Sequence, residues 1–161
     1  MKLIIPFIAS FFLLLWQQLP SVREHYVEAS SNVIKAEAFY TLTANYNKED
    51  KVLWAYKGAA ITIKAKFAKT IKEKKRLFAE GVKLVEAAVK SEPNDIEIRL
   101  IRLSIQENTP KILNYKKNIV EDKKLLLSKL EEQSQSLRDY VKKYIKQSDI
   151  FTDTEKNSIL N

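Results

Sequence analysis

His25 is the single histidine among 161 residues, in the run Arg23-Glu24-His25-Tyr26-Val27-Glu28. An imidazole beside a carboxylate is the pairing a general base uses. A zinc site there would have only carboxylates to complete it. The expectation is an exposed or capping imidazole near the start of the mature chain. No cysteine is present, which excludes a disulfide framework, a zinc-thiolate site and a thiol nucleophile. The acid pairs Glu121-Asp122 and Glu131-Glu132 are adjacent in sequence. Adjacent helical positions diverge by about 100°, so neither pair shares a site, and both read as solvated surface. No nucleophile elbow, phosphate-binding glycine loop, dinucleotide fingerprint or metal-ligand spacing occurs. The sequence therefore predicts a protein that is not an enzyme, with no catalytic residue, metal or cofactor.

The cations carry more information. Lys64, Lys66, Lys69, Lys72, Lys74, Lys75 and Arg76 crowd thirteen residues that hold one acid, Glu73. On one continuous helix Lys64, Lys69, Lys72, Lys75 and Arg76 share an arc of about 140°, opposite Ile63, Phe67, Ile71 and Phe78. Such an arc attracts an anionic partner with salt-sensitive affinity. Arg99 and Arg102 sit three apart on an otherwise apolar stretch. Arginine holds carboxylates bidentately, so each expects either an internal acid, such as Glu97 or one on a facing helix, or an anionic ligand. These seven residues are the candidate partner-binding set: Lys64, Lys69, Lys72, Lys75, Arg76, Arg99 and Arg102.

The elements that must position them are helical. Two glycines and four prolines are too few for the turns of a sandwich or barrel. Apolar residues recur at three and four: Ala36, Phe39, Tyr40 and Leu42 in a helix from Val33 to about Tyr46, and Leu53, Tyr56, Ala60, Ile63 and Phe67 in one capped by Asp50. Leu77 to Val89 form a further stripe, stopped by Glu92-Pro93-Asn94. Asn94 with Glu97 reads as a capping box for the next helix, which ends near Glu107. Thr109-Pro110 opens a helix over Ile112–Leu130, Ser136 opens one with Leu137, Val141 and Ile145, and Thr152 with Glu155 opens a last short one. Val22–Ala29 is a short first helix. Tyr26, Phe39, Tyr40, Trp54, Tyr56, Phe67 and Phe78 read as core. Ala59–Ala65 is β-branched enough to suggest a strand, but its flanks are helical. Short connections make neighbours antiparallel, so the fold class is all-α: about eight helices in stacked antiparallel hairpins.

Ahead of these lies Met1-Lys2 and an apolar run from Leu3 to Trp16. One charge and a short apolar core fit a secretory signal peptide over residues 1–20, cleaved between Trp16 and Val22, with an uncleaved anchor as the alternative. Residues 21–161 are then one helical domain, periplasmic or secreted. Export is incompatible with chromosomal DNA as the target of the basic run, so no nucleic acid is expected.

Trp54-Ala55-Tyr56-Lys57-Gly58 resembles the opening of a tetratricopeptide-type repeat, and Ala87-Ala88-Val89-Lys90-Ser91-Glu92-Pro93-Asn94 resembles its close. Trp54, Gly58, Ala88 and Pro93 are the structural residues of that likeness. It departs in length, since Trp54 and Pro93 are 39 residues apart and the whole repeat is about 34. Lys57 also stands where the pattern has leucine. More broadly the chain resembles small exported helical proteins of Gram-negative bacteria. The resemblance implies a hairpin scaffold with a concave surface for a peptide or partner subunit. The function expected is a non-enzymatic interaction module in the cell envelope, binding a protein or peptide. The alternative is a small binding protein for an amphiphile or anionic lipid. Cell-surface polysaccharide would suit the same basic arc.

Overall fold

The structure is a computed structural model that describes residues 19–160. The expected signal segment lies almost wholly outside the described residues. Within them there are eight α-helices and no strand. They are α1 (19–29), α2 (Val33–Thr43), α3 (Lys51–Phe67), α4 (Ile71–Ser91), α5 (Ile96–Asn108), α6 (Ile119–Lys129), α7 (Gln135–Gln147) and α8 (Asp153–Leu160). No helix among the described residues is long and apolar enough to cross a membrane.

Side chains set most of the helix starts. Asn32, Asp50, Thr70, Asp95 and Ser134 each accept a hydrogen bond from a backbone N–H in the first turn of the helix that follows. Thr152 and Glu155 form a reciprocal box: the Thr152 N–H donates to Glu155 Oε2 at 2.8 Å, and the Glu155 N–H to Thr152 Oγ1 at 3.2 Å. Ala59–Ala65 is helical throughout.

Several boundaries differ from expectation. The cap of α5 is Asp95, not Asn94, and Glu97 is buried instead of reaching back to the cap. The cap of α7 is Ser134, not Ser136. Pro110 opens only a single 3₁₀ turn, Lys111–Leu113. Asn114 then adopts a left-handed conformation (φ 49°), which ends that turn, so α6 begins seven residues later than Ile112.

Helix α5 holds the molecule together, with ten of its thirteen residues buried. At 100° per residue, Ile98, Ile101 and Ile105 fall within about 60° of one another, and Ile96, Leu100 and Leu103 share a similar arc on the opposite side. The first trio joins a core with Phe39, Tyr56, Val85 and Ala88; the second joins Leu126, Leu130, Val141 and Ile145. One helix therefore belongs to two cores, and its remaining arcs are polar positions with nowhere to go but inward.

The tightest contact is between α3 and α4, where the only two glycines face each other. A Cβ at Gly58 would lie 2.7 Å from the Gly81 carbonyl oxygen, and one at Gly81 would lie 2.5 Å from that of Gly58. Backbone-to-backbone approach of this kind needs glycine on both sides.

Candidate functional site

The basic run does not lie on one helix. α3 ends at Phe67, Ala68 is extended, and Thr70 caps α4. The continuous 140° arc is therefore broken, because the chain turns back between Ala68 and Thr70. The turn still gathers the cations at one corner, beside the loop that joins α1 to α2. Lys66 Nζ donates to the Ser30 carbonyl at 2.8 Å, linking the two turns. Lys64 pairs with Glu37 at 3.1 Å and lies 4.0 Å from the centroid of the Tyr40 ring. Arg76 pairs with Glu80 one turn on, at 2.9 Å. Lys69, Lys72, Lys74 and Lys75 are exposed, and none of them has a carboxylate within 4 Å among the described residues. An apolar side chain stands open within the run: Ile71 is 74% exposed. A shallow depression of about 220 Å³ lies between α2 and the turn, lined in part by Val33, Lys64, Phe67 and Lys69.

Arg99 and Arg102 are elsewhere, and both are buried. With Gln106 they occupy one arc of α5, about 60° wide, that faces α6. All three converge on Asp122, which is 0% exposed. Arg99 Nη1 and Arg102 Nη2 donate to Asp122 Oδ1 at 2.8 and 2.6 Å; Arg102 Nε and Gln106 Nε2 donate to Oδ2 at 2.8 and 2.9 Å. Gln106 Oε1 accepts the backbone N–H of Asn118 at 2.9 Å, which fixes the start of α6. Arg99 Nε donates to the Pro93 carbonyl at 2.8 Å, and Arg99 Nη1 also meets Glu121 at 2.8 Å. Arg102 Nη1 reaches Glu86 at 3.2 Å, and Glu86 in turn accepts from Tyr115 Oη at 2.5 Å. Burial pulls the Arg102 guanidinium down, but its hydrogen bond and charge interaction with Asp122 outweigh this, so its pKa is raised. The same arginines lower the Glu121 carboxyl, Arg99 foremost. The two arginines thus hold an internal acid. That acid is not Glu97, and Asp122 is not the solvated residue its neighbours suggested.

Glu97, 3% exposed, points the opposite way from α5. It accepts Arg23 Nε and Nη2 at 2.8 and 2.7 Å and Tyr56 Oη at 2.7 Å. Arg23 Nη1 also donates to Ser136 Oγ at 2.9 Å, and its guanidinium carbon lies 5.4 Å from the centroid of the Tyr140 ring. Tyr26 bonds to Ser104, one stripe along α5 from Glu97. Burial raises the Tyr26 phenol to about 12 and pushes Tyr56 well up, helped by the Glu97 charge. A third acid, Glu107, collects Tyr144 Oη at 2.5 Å, Ser148 Oγ at 2.8 Å and the Asp149 N–H at 3.0 Å. No buried side-chain nitrogen or oxygen among the described residues is left without a partner.

Of the repeat-like residues, Gly58 is at the α3–α4 crossing, Ala88 is fully buried, Trp54 is half-buried and Pro93 lies exposed in the α4–α5 turn. His25 is exposed, its Nδ1 2.8 Å from the Ser21 carbonyl oxygen. Arg23 was not legible as a site residue, because it stands in a charged run. The signal lay in Leu19, Val22 and Tyr26, whose helical spacing puts Arg23 on the inward arc. No group of three or more metal-ligating side chains is found among the described residues. Comparison with family models, curated proteins and solved structures finds no match to this chain.

Proposed function

We propose that this chain is a non-enzymatic, exported interaction module of tetratricopeptide-like type that docks an acidic protein or peptide in the cell envelope on its α3–α4 corner. The observation that carries the reading is the group of four exposed lysines between residues 69 and 75, with no carboxylate within 4 Å among the described residues, set around the open side chain of Ile71. Lysines that have no internal acid contribute little to the fold, and together they form a positive field that steers an anionic partner. An apolar side chain in their midst supplies contact area that charge alone lacks. The apolar run Leu3–Trp16 behind Lys2 supports export. The close glycine crossing, Ala88 and the Pro93 turn support the repeat-like reading.

A second reading has its own observation. Val33 and Ile71 are exposed beside the lysines, the combination by which an anionic lipid surface is bound. One experiment separates the two. The full chain is titrated with a labelled polyglutamate peptide and, in parallel, with phosphatidylglycerol vesicles. The interaction module binds the peptide, more weakly as salt rises, and Lys69→Glu, Lys72→Glu and Lys75→Glu together weaken it at least about tenfold without altering thermal stability. Binding to vesicles but not peptide selects the lipid reading. Binding to neither overturns both.

A further inference from the structure

The depression beside the α3–α4 turn differs in chemistry from the lysines around it. Its apolar lining is Val33 at the start of α2, Phe67 and Ala68 at the end of α3, and Leu77, which is the most deeply buried of the four. Its charges cancel. Lys64 is paired with Glu37 at 3.1 Å, and the two other charges that line it, Lys69 and Glu73, are of opposite sign. The surplus positive charge stands outside, at Lys72, Lys74 and Lys75 of α4, none of which lines the depression. A run of acids alone therefore has partners around the depression and none within it. We propose that the depression is a socket for one large apolar side chain, so that the ligand of this corner is an acidic segment interrupted by a single phenylalanine-like residue. This inference rests on the acidic-partner reading and adds the residue by which one acidic segment is told from another.

Size, charge and rigidity agree with one side chain as the occupant. The depression holds about 220 Å³, below the range of about 300–1,000 Å³ in which whole small molecules are bound. An aromatic ring placed there removes its own apolar surface and that of Val33 and Phe67 from water, a gain that scales with area and owes nothing to charge. A carboxylate in the same place would meet Glu37 and Glu73, so the rim itself selects against an acid at the anchor position. The lips are fixed before a ligand arrives. Lys66 Nζ ties the end of α3 to the Ser30 carbonyl at 2.8 Å and lies 5.5 Å from the centroid of the Phe67 ring. Asn32 caps α2 beside Val33, Thr70 caps α4, and Leu77 packs on Ile61 and Ala65. A socket already ordered in this way costs little to fill. The flanking acids of the ligand then lie over Lys69 and Lys72, where the field of the corner is positive.

The test titrates the full chain with two labelled peptides: a run of glutamates with one central phenylalanine, and the same run with alanine in its place. The phenylalanine peptide is expected to bind at least about fivefold more tightly. That ratio is expected to hold as salt weakens the binding of both, because only the acids are screened. The bound ring is expected to move the methyl resonances of Val33 and Leu77 by ring-current shifts, which alanine cannot produce. Val33→Ser, at an exposed position, is expected to remove most of the gain and to leave binding of the alanine peptide unchanged. Equal affinity for the two peptides overturns the socket and leaves acidic docking standing. A gain without the methyl shifts, or one that survives Val33→Ser, does the same. Binding of neither peptide overturns both.

Discussion

Asp122 is the residue on which the second half of the molecule is aligned. Its two oxygens receive four hydrogen bonds from Arg99, Arg102 and Gln106, and Gln106 passes the alignment on to the first turn of α6. Removing that charge leaves two buried guanidinium groups with only the more exposed Glu121 and Glu86 as acids, at 2.8 and 3.2 Å. Asp122→Asn is therefore expected to cost about 3–5 kcal/mol in chemical denaturation, the range for breaking a buried ion pair from one side. A loss below about 1 kcal/mol would mean that Glu121 and Glu86 hold the arginines without Asp122. Gly81 carries a second prediction, because two effects oppose each other there. Alanine is the better helix former by about 1 kcal/mol. Its Cβ, however, would meet the backbone oxygen of Gly58 at 2.5 Å and Thr62 Cγ2 at 2.6 Å. A carbonyl cannot rotate aside as a side chain can, and overpacking of this kind costs about 1–3 kcal/mol. Gly81→Ala is expected to lower the midpoint of thermal unfolding; a rise would show that the helices separate freely. Arg99 and Arg102 announced an internal acid by standing on an apolar helix, and that much was legible. Asp122 was not, since it lies among Glu121, Lys123 and Lys124 and its burial is decided by the helix it faces.

At the scale of elements, the helices and their order follow from apolar spacing and capping residues, which act within a turn or two of chain. Asp50 and Thr152 cap as their local sequence implies. The break at Ala68–Thr70 is not legible in the sequence, because Phe67 and Ile71 keep helical spacing across it. The delayed start of α6 was not legible for a related reason: it depends on the left-handed Asn114 and on Gln106, which belongs to another helix. The attachment of α8 makes a prediction of its own. Lys123 Nζ donates to Glu155 Oε2 at 2.9 Å and to the Ile150 carbonyl at 2.6 Å. The hydrogen bond from Lys123, followed by that from the Thr152 N–H, holds the Glu155 carboxyl below its ordinary value of 4.5. A depressed carboxyl stabilises above the unfolded value, and that stability is lost as pH falls through the lower folded value. α8 is expected to lose amide protection in acid, below about pH 4.5, while α5 stays protected. Simultaneous loss in both helices would contradict this attachment.

For the molecule as a whole, base is the more severe stress. Tyr26, Tyr56, Tyr115, Tyr140 and Tyr144 are all raised above 10, in each case first by burial. A neutral phenol is the form the fold tolerates. Stability is intact below pH 10, where the unfolded phenols begin to ionise, and falls as pH rises toward each folded value. Tyr26, raised to about 12, alone accounts for about 3 kcal/mol of that loss. A domain of this size is stable by about 5–15 kcal/mol, so several such tyrosines together exceed the margin. The chain is expected to unfold cooperatively between pH 10 and 12, with phenolate absorbance and loss of helical circular dichroism rising together. Phenols that titrate near pH 10 while the helices persist would contradict the burial described.

Among the described residues, the interior has its charges answered, whereas exposed lysines such as those of the α3–α4 corner have no carboxylate within 4 Å. That contrast, four such lysines around Ile71 against the closed networks of Asp122, Glu97 and Glu107, is the ground for reading the protein as a docking module. The most direct test is an amide chemical-shift map of the ¹⁵N-labelled chain titrated with polyglutamate. The account predicts saturable shifts concentrated in residues 64–76 and at Val33, abolished by the triple lysine-to-glutamate variant. Shifts centred on α5 to α7, or no shifts at all, would contradict it.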